Sequence, residues 1–459
     1  MNNLILNTDS YKASHFLQYP PATRYVSSYI ESRGGEYSHL VFFGLQAFIK
    51  EYLTKQITAE DINEAQEIIT AHGLPFNRKG WEYILQQHNG FLPLEIEAVA
   101  EGTVAPTKNV LVQVVNTDPN CFWLTSYIET ALLRAIWYPT TVATVSYQAK
   151  QLIAKYLEAT ADSLAGLPFK LHDFGARGAS SAETAALGGL AHLVNFQGTD
   201  TLEGIVAARR YYQEPMAGFS IPAAEHSTIT SWGKAGETAA YSNMLQQFAG
   251  KEKLVAVVSD SYNLWNAIAN IWGDTLKEQV VNNGGTIVIR PDSGEPVKVV
   301  VKTITMLMDK FGYTTNSKGY RLLPEYIRVI QGDGVSLTSI ETILKAMKEH
   351  QLSADNIAFG MGAELLQKVN RDTLKFAMKA SAIKIEDTWQ DVFKDPVTDP
   401  GKTSKKGRLA LTKNNSGYKT IRQEELEEKN YLRPVYRNGK LLIDETLATI
   451  RDRAGIGNK

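Results

Sequence analysis

Between residues 169 and 362 the chain repeats one pattern six times: a short apolar run ends in a loop of glycine and polar residues. Phe169-Lys170-Leu171-His172-Asp173 runs into Phe174-Gly175-Ala176-Arg177-Gly178. Gly218-Phe219-Ser220-Ile221-Pro222 precedes Glu225-His226-Ser227, and Leu254–Val258 precedes Ser259-Asp260-Ser261-Tyr262. Further on, residues 286–289 lead to Arg290-Pro291-Asp292-Ser293-Gly294, residues 327–330 to Gly332-Asp333-Gly334, and residues 357–359 to Gly360-Met361-Gly362. Segments with helical spacing at 181–193, 263–280, 297–311 and 337–350 lie between them. Junctions roughly 30 to 45 residues apart suit βα units, and alternation of strand with helix implies a parallel sheet. Chemistry-bearing residues at the ends of so many strands favour a (β/α)8-type barrel, because an open doubly wound sheet gathers its ligands at one switch point.

The ends of the chain have another texture. Leu94-Glu95-Ile96-Glu97-Ala98-Val99 alternates with period two, and residues 109–115 form a second strand. Residues 408–412 and 418–422 flank Asn415-Ser416-Gly417. Val435-Tyr436-Arg437 meets Lys440-Leu441-Leu442 across Asn438-Gly439, the signal of a type I′ hairpin. Helices are expected at 59–70, where Thr58 caps with Asp61 three residues on, and at 123–137 and 141–158. Lys and Arg total 48 against 49 Asp and Glu, a net charge of −1, which excludes a nucleic-acid coat and an acidic disordered segment. Cys121 stands alone, so neither an intrachain disulfide nor a multi-cysteine zinc site can form. With no apolar run long enough to span a bilayer and no secretory layout at residues 1–11, the expectation is a cytoplasmic protein without membrane partners.

Taken together, the junctions offer carboxylates (Asp260, Asp292, Asp333), guanidiniums (Arg177, Arg290), an imidazole (His226) and glycine N–H groups. Carboxylates accept from vicinal hydroxyls, while arginine and glycine-rich loops hold anionic oxygens, so the set suits a polyol phosphate. No Walker or Rossmann glycine pattern, His-Glu-x-x-His or Gly-x-Ser-x-Gly occurs where it would have meaning, and no resident metal site is expected.

Long blocks in order along the chain carry a resemblance. They run from Thr8-Asp9-Ser10-Tyr11-Lys12 through Leu171-His172-Asp173-Phe174-Gly175, Gly198-Thr199-Asp200-Thr201 and Pro222-Ala223-Ala224-Glu225-His226-Ser227-Thr228. Val258-Ser259-Asp260-Ser261-Tyr262, Ile289-Arg290-Pro291-Asp292-Ser293-Gly294, Gln331-Gly332-Asp333-Gly334-Val335 and Ser404-Lys405-Lys406-Gly407-Arg408 follow. The sequence resembles the nicotinamide phosphoribosyltransferase family over nearly its whole length. That resemblance implies an α/β protein: an irregular (β/α)8-type barrel, here 151–379, with a second β-rich α+β domain formed from both chain ends, 1–150 and 380–459. It also implies a homodimer with shared active sites.

The family joins nicotinamide to 5-phosphoribosyl 1-pyrophosphate, giving nicotinamide mononucleotide and pyrophosphate in NAD salvage. Carried onto this sequence, the resemblance implies that Phe174, with Tyr11 from the other subunit, sandwiches the pyridine ring, and that Arg177 and Asp200 meet the carboxamide. Asp200 facing a nicotinate carboxylate would cost on the order of 4 kcal/mol at about 4 Å and an effective dielectric of about 20, which favours the neutral amide. Arg290, Asp292 and Asp333 are expected on the ribose, with Gly332 and Gly362 placing N–H groups on the 5′-phosphate. Arg33, and from the partner Arg371 and Lys379, are expected on the pyrophosphate, together with Mg2+. His226, with Asp260 and Asp292, is expected to carry catalysis, His226 as a nucleophile phosphorylated by ATP, the coupled co-substrate. The glycine loop departs from the family pattern at Ala363-Glu364, where an anion is added near the phosphate. The segment after Glu36 is shorter than in vertebrate-like members, a difference expected in a surface loop. Two alternatives remain: a nicotinate phosphoribosyltransferase, and a non-catalytic phosphate-binding protein on the same scaffold.

Overall fold

The structure is a computed structural model, described for residues 3–398, 403–415 and 417–455. The sequence places Lys402, Lys405, Lys406 and Arg408 in one basic run; of these Lys402, and Ser416 of the 415–417 turn, lie outside the described residues. The chain divides into two units: residues 1–144, 208–214 and 370–459 form one, and residues 145–207 and 215–369 the other.

In the second unit six parallel strands form one sheet: β1 (Leu171–Asp173), β2 (Gly198–Thr199), β3 (Leu254–Val258), β4 (Thr286–Arg290), β5 (Ile327–Gln331) and β6 (Ile357–Met361). Their spatial order is β2-β1-β6-β5-β4-β3. The two edges meet through the extended segment 219–223, which bridges β2 at Gly198 and β3 at Ala256, both in parallel sense. Phe219 N donates to Gln197 O at 2.7 Å and Ala256 N to Pro222 O at 2.9 Å. The ring is therefore irregular, six strands and one short stave among the described residues. The stave is short because Pro222 can donate nothing to a ladder.

Strands of this ring are buried on both faces, which explains their unbroken apolar runs. Ala256, Val288 and Ile330 form a cluster with Phe174, Ile221 and Ala358 packed on it, while the alternate residues Val255, Val257, Ile287, Ile289 and Val329 are buried as well. The helix Pro296–Phe311 follows β4. Proline occupies its first turn, the Glu295 carboxylate accepts from Val297 N and Lys298 N, and Gly312 (φ +78°) ends it. Its buried stripe is Val299, Val300, Thr303, Ile304, Leu307, Met308 and Phe311. The segment expected as one helix at 263–280 is broken into Leu264–Asn266, a π-helical stretch Ala267–Thr275 and Lys277–Asn282. The wider turn carries Trp272 inward, where it stacks on Tyr241 at 4.7 Å and donates to Ser259 Oγ at 3.1 Å.

The first unit is built on a seven-stranded antiparallel sheet. In order it contains Thr388–Asp391, Phe376–Ile385, Thr23–Ser32, Val110–Asn116, Leu94–Ala98, Arg433–Arg437 and Lys440–Leu441. The strand Phe376–Ile385 explains why residues 370–379 group with this unit. Asn438 (φ +49°) and Gly439 (φ +85°) make the expected type I′ turn, and the Thr58–Asp61 capping box is present on Ala59–Ala71. The two helices expected at 123–137 and 141–158 are instead Leu124–Tyr127 and one helix, Glu129–Thr160, that continues through Pro139. The proline is tolerated where Gly44 (φ +104°) sits against it: a Cβ on Gly44 would lie 2.3 Å from Pro139 Cγ.

Candidate active site

At the end of β1 the buried Asp173 accepts from Gly175 N at 2.7 Å, and Phe174 N donates to Met361 O at 2.9 Å. These bonds turn Phe174 over the strand ends. Its ring lies on Gly360, where a Cβ would come within 2.0 Å of a ring carbon, and 3.6 Å from the Cβ position of Gly332. Any other residue at 360 would displace the ring. Burial pushes the Asp173 carboxyl up to about 6, with the Thr201 hydroxyl and Gly175 N–H acting against it.

The ends of β3 and β4 and the turn after the short stave hold the charged set. Asp260 has a side chain 3 % exposed; its Oδ2 accepts from Asp292 N at 3.1 Å and from Ser293 Oγ, while Oδ1 has no hydrogen-bond partner. Asp292 Oδ1 lies 3.7 Å from Arg290 Nε, which is buried and likewise without a hydrogen bond. His226 opens the short helix His226–Thr230, capped by Glu225 with Thr228. Its Nε2 is 3.5 Å from Asp292 Oδ2 and 3.7 Å from Asp260 Oδ1, and its Nδ1 is 3.2 Å from Ser261 Oγ. Gly332 leaves room beside this pair: a Cβ there would lie 3.2 Å from Asp292 Oδ1. Phe174, His226, Asp260, Arg290, Asp292 and Gly332 are thus brought together.

The remaining barrel residues sit at the same strand ends. Asp333 is exposed, and its carbonyl accepts from Gln331 Nε2 at 2.7 Å. Arg177 is exposed on the turn Ala176–Gly178. Asp200 is exposed, donates its N–H to Asp173 O at 2.9 Å and accepts from the Ser220 hydroxyl. Gly362 leads into Ala363–Leu366. The anion expected from Glu364 is paired, with Lys368 Nζ 2.9 Å from its carboxylate.

Within the first unit, Tyr11 is 56 % exposed on Ser10–Leu17, edge-on to His15 and 5.4 Å from Lys12 Nζ. Arg33 Nε lies 3.8 Å from Glu31, and its Nε and Nη2 are buried without hydrogen-bond partners. Lys379, on the strand Phe376–Ile385, has its ammonium pushed below the usual lysine range by burial first. Arg33, Lys394 and Lys12 act in the same direction, and Glu129 acts against it. Arg33 and Lys379 therefore share a basic basin within one chain, where the resemblance had divided them between two subunits. Arg371 is exposed beside Asp372 at 3.7 Å, and among the described residues no ion pair or hydrogen bond joins its side chain to that basin. The described residues of the 402–408 basic run are engaged one by one: Lys405 with Glu31, Lys406 over Phe393 and Arg408 over Trp389.

Sequence reasoning passed over Ser261, Ser293, Ser220, Lys12 and Lys394. A signal existed for the first two, since Asp-Ser follows a strand twice, at 260–261 and 292–293. Among the described residues, the side chains grouped closely enough to hold a metal are His88, Asp118 and Cys121, in the β-rich unit; His88 Nε2 already pairs with Asp118 at 2.9 Å. No helix among those residues is long and apolar enough to cross a membrane.

Known proteins give this geometry a context. Residues 169–440 match the nicotinate phosphoribosyltransferase (NAPRTase) family, and residues 3–96 match the nicotinamide phosphoribosyltransferase N-terminal domain. A nicotinamide phosphoribosyltransferase from Xanthomonas campestris pv. campestris is 52% identical over 99% of this chain and 98% of its own. One from Acinetobacter baylyi is 31% identical over 97% and 95%. Among solved structures, nicotinate-nucleotide pyrophosphorylase from Pyrococcus furiosus superposes with a TM-score of 0.63 at 14% identity, covering 98% of this chain and 95% of its own. Human nicotinic acid phosphoribosyltransferase does so with 0.58 at 16%, covering 97% and 92%. At such identities the two structures establish the fold alone. Fold and relatives together make the chain a phosphoribosyltransferase. It belongs to the nicotinate phosphoribosyltransferase family and, within it, to the nicotinamide phosphoribosyltransferases.

Proposed function

We propose that this protein joins nicotinamide to 5-phosphoribosyl 1-pyrophosphate, releasing nicotinamide mononucleotide and pyrophosphate, as a salvage step toward NAD in the cytoplasm. The observation that carries the reading is the Phe174 ring laid on Gly360 beside Arg290, Asp292 and Gly332. A flat apolar floor for a pyridine thus adjoins groups suited to ribose hydroxyls. The relatives named for the nicotinamide reaction support the same substrates.

Phe174 stacks the pyridine, with Tyr11 of a second protomer in a homodimer as the opposite wall; each aromatic pair contributes about 0.5–1.5 kcal/mol beyond burial. Arg177 donates to the carboxamide oxygen. Asp200, held by Ser220, accepts from the amide and disfavours a second carboxylate. Asp292 and Asp333 accept from the ribose hydroxyls, Arg290 lies beside them, and Gly332 and Gly362 offer N–H groups to the 5′-phosphate. Arg33 and Lys379, which lie in one protomer rather than being divided between the two, receive the pyrophosphate with Arg371, and its Mg2+ travels with it as part of the substrate. The unpartnered Nε and Nη2 of Arg33 support that anion role. The ring nitrogen attacks C1′ as pyrophosphate departs through an oxocarbenium-like state, so positioning and charge do most of the work. His226 accepts the γ-phosphoryl group of ATP, coupling hydrolysis to synthesis, with Asp260 and Asp292 facing the charge that develops on the ring.

A competition assay of pyrophosphate release decides the substrate. Nicotinamide is expected to dominate, and preference for nicotinate would overturn the assignment. His226→Ala is expected to lose ATP stimulation and acid-labile phosphate on the protein; retention of both would remove the phosphohistidine from the scheme.

A further inference from the structure

The two nitrogens of His226 meet different surroundings. Nε2 faces two carboxylate oxygens, at 3.5 Å on Asp292 and 3.7 Å on Asp260, and the latter oxygen is buried without a hydrogen-bond partner. A lone pair on Nε2 would point at both negative charges, whereas an N–H dipole there is attracted by them. In this ring orientation a neutral imidazole favours its proton on Nε2, through contacts too long to hold the ring by themselves, and Nδ1 becomes an acceptor. The hydroxyl at Nδ1 is that of Ser261, 3.2 Å away. Ser261 is half-buried and follows directly on Asp260 at the end of β3, so the strand that places the carboxylate on one ring nitrogen also places the hydroxyl on the other.

We propose that Ser261 is a positioning residue that fixes the tautomer and ring orientation of His226 by donating its hydroxyl to Nδ1. The consequence for catalysis rests on the phosphoryl-acceptor role proposed above. When the Ser261 hydroxyl rotates aside, the Nδ1 lone pair attacks the γ-phosphorus of the nucleoside triphosphate. A nitrogen–phosphorus bond forms, the bond from phosphorus to the β,γ-bridging oxygen breaks, and the electron pair leaves with the diphosphate. The proton stays on Nε2, where the positive charge gained by the ring faces Asp260 and Asp292. Without Ser261 the ring is free to turn, and part of the population presents no lone pair to the phosphate.

The test uses full-length protein labelled with 15N-histidine, the His226 signals being assigned by their loss in His226→Gln. Wild type and Ser261→Thr are expected to give the Nε2–H pattern, and Ser261→Ala a mixture of tautomers. In Ser261→Ala, incorporation of acid-labile phosphate from γ-labelled ATP is expected to fall about tenfold, the factor one hydrogen bond of ordinary strength supplies. The fall should lie in the rate rather than in KM for ATP, and Ser261→Thr should restore it. An unchanged tautomer in Ser261→Ala overturns the proposal, as does a loss that Ser261→Thr fails to repair. If wild-type protein takes up no phosphate, it is the phosphohistidine reading that fails, and the spectra still decide the role of Ser261.

Discussion

At the N-terminal ends of the barrel strands, Lys170 Nζ lies 2.9 Å from the Asp355 carboxylate and donates to the Asp355 carbonyl at 2.9 Å. Arg328 Nη1 donates to the carbonyls of Leu323, Pro324 and Ile327 at 3.1, 2.7 and 2.8 Å. At the C-terminal ends the same residue types are left short of partners. Asp260 Oδ1 and Arg290 Nε are buried without a hydrogen bond, and the contacts of His226 with carboxylates are 3.5 and 3.7 Å long. A satisfied charge locks a strand in place. An unsatisfied one, held rigidly by its neighbours, costs stability until a ligand supplies the missing partner. The two ends of one sheet thus separate charges that build the fold from charges that await a substrate.

Arg290→Ala is the substitution that tests the open end most severely. It should lower kcat/KM for phosphoribosyl pyrophosphate about 100-fold, the size of a charge-assisted hydrogen bond to a phosphate or hydroxyl oxygen. The melting temperature should stay near that of wild type, since no hydrogen bond of Arg290 Nε is lost. Equal losses of activity and stability would erase the contrast between the ends.

Asp355→Ala is the converse. It strands the buried Lys170 with only backbone acceptors and should cost on the order of 2 kcal/mol, less than a fully buried pair because the Asp355 side chain is 38 % exposed. Activity at saturating substrate should change little. Burial by itself would raise the Asp355 carboxyl, but Lys170 holds it below the usual aspartate range. A depressed carboxyl stabilises the fold above its unfolded value and loses that contribution as pH falls through the folded one. Thermal melts between about pH 6 and 3 should therefore show a decline in wild type that is shallower in Asp355→Ala.

The contrast was half visible in the sequence. Residues at the C-terminal ends stood out because glycine, aspartate and arginine recur after apolar runs, and that recurrence placed His226, Asp260, Arg290 and Asp292 in one site. Lys170 and Asp355 sit before strands, where nothing in the local pattern separates a buried ion pair from a solvated lysine. The run at 218–222 reads as a strand, although Gly218 and Pro222 leave it only two isolated bridges; the strand the sequence hid is Gly198–Thr199, two residues with no apolar run to mark them. The break at 267–275 was hidden for a related reason: an apolar helical period persists through a π turn, and only the inward demand of Trp272 reveals it. Ser261 has no apolar signature at all. Its meaning comes from the ring nitrogen beside it, which is a fact of three dimensions.

Asp173 lies on the boundary between the two kinds of charge and gives the smallest effect. It belongs to the C-terminal end by position, yet it is fully buried and bonded to Gly175 N, as a structural group would be. Its carboxyl is raised from 3.8 to about 6 by burial. For a raised carboxyl the favourable state is the neutral one, so stability is fully present below the unfolded value and is lost as pH rises through about 6. Asp173→Asn keeps an oxygen for Gly175 N and removes the charge. It should be more stable than wild type by on the order of 1 kcal/mol at pH 8, with the advantage vanishing toward about pH 4. Chemical denaturation at the two pH values measures this directly. A variant less stable at pH 8 would mean that the carboxylate is ionised and has a partner there, which would move Asp173 to the locked side of the comparison; a gain leaves it as an acid whose charge the fold works against.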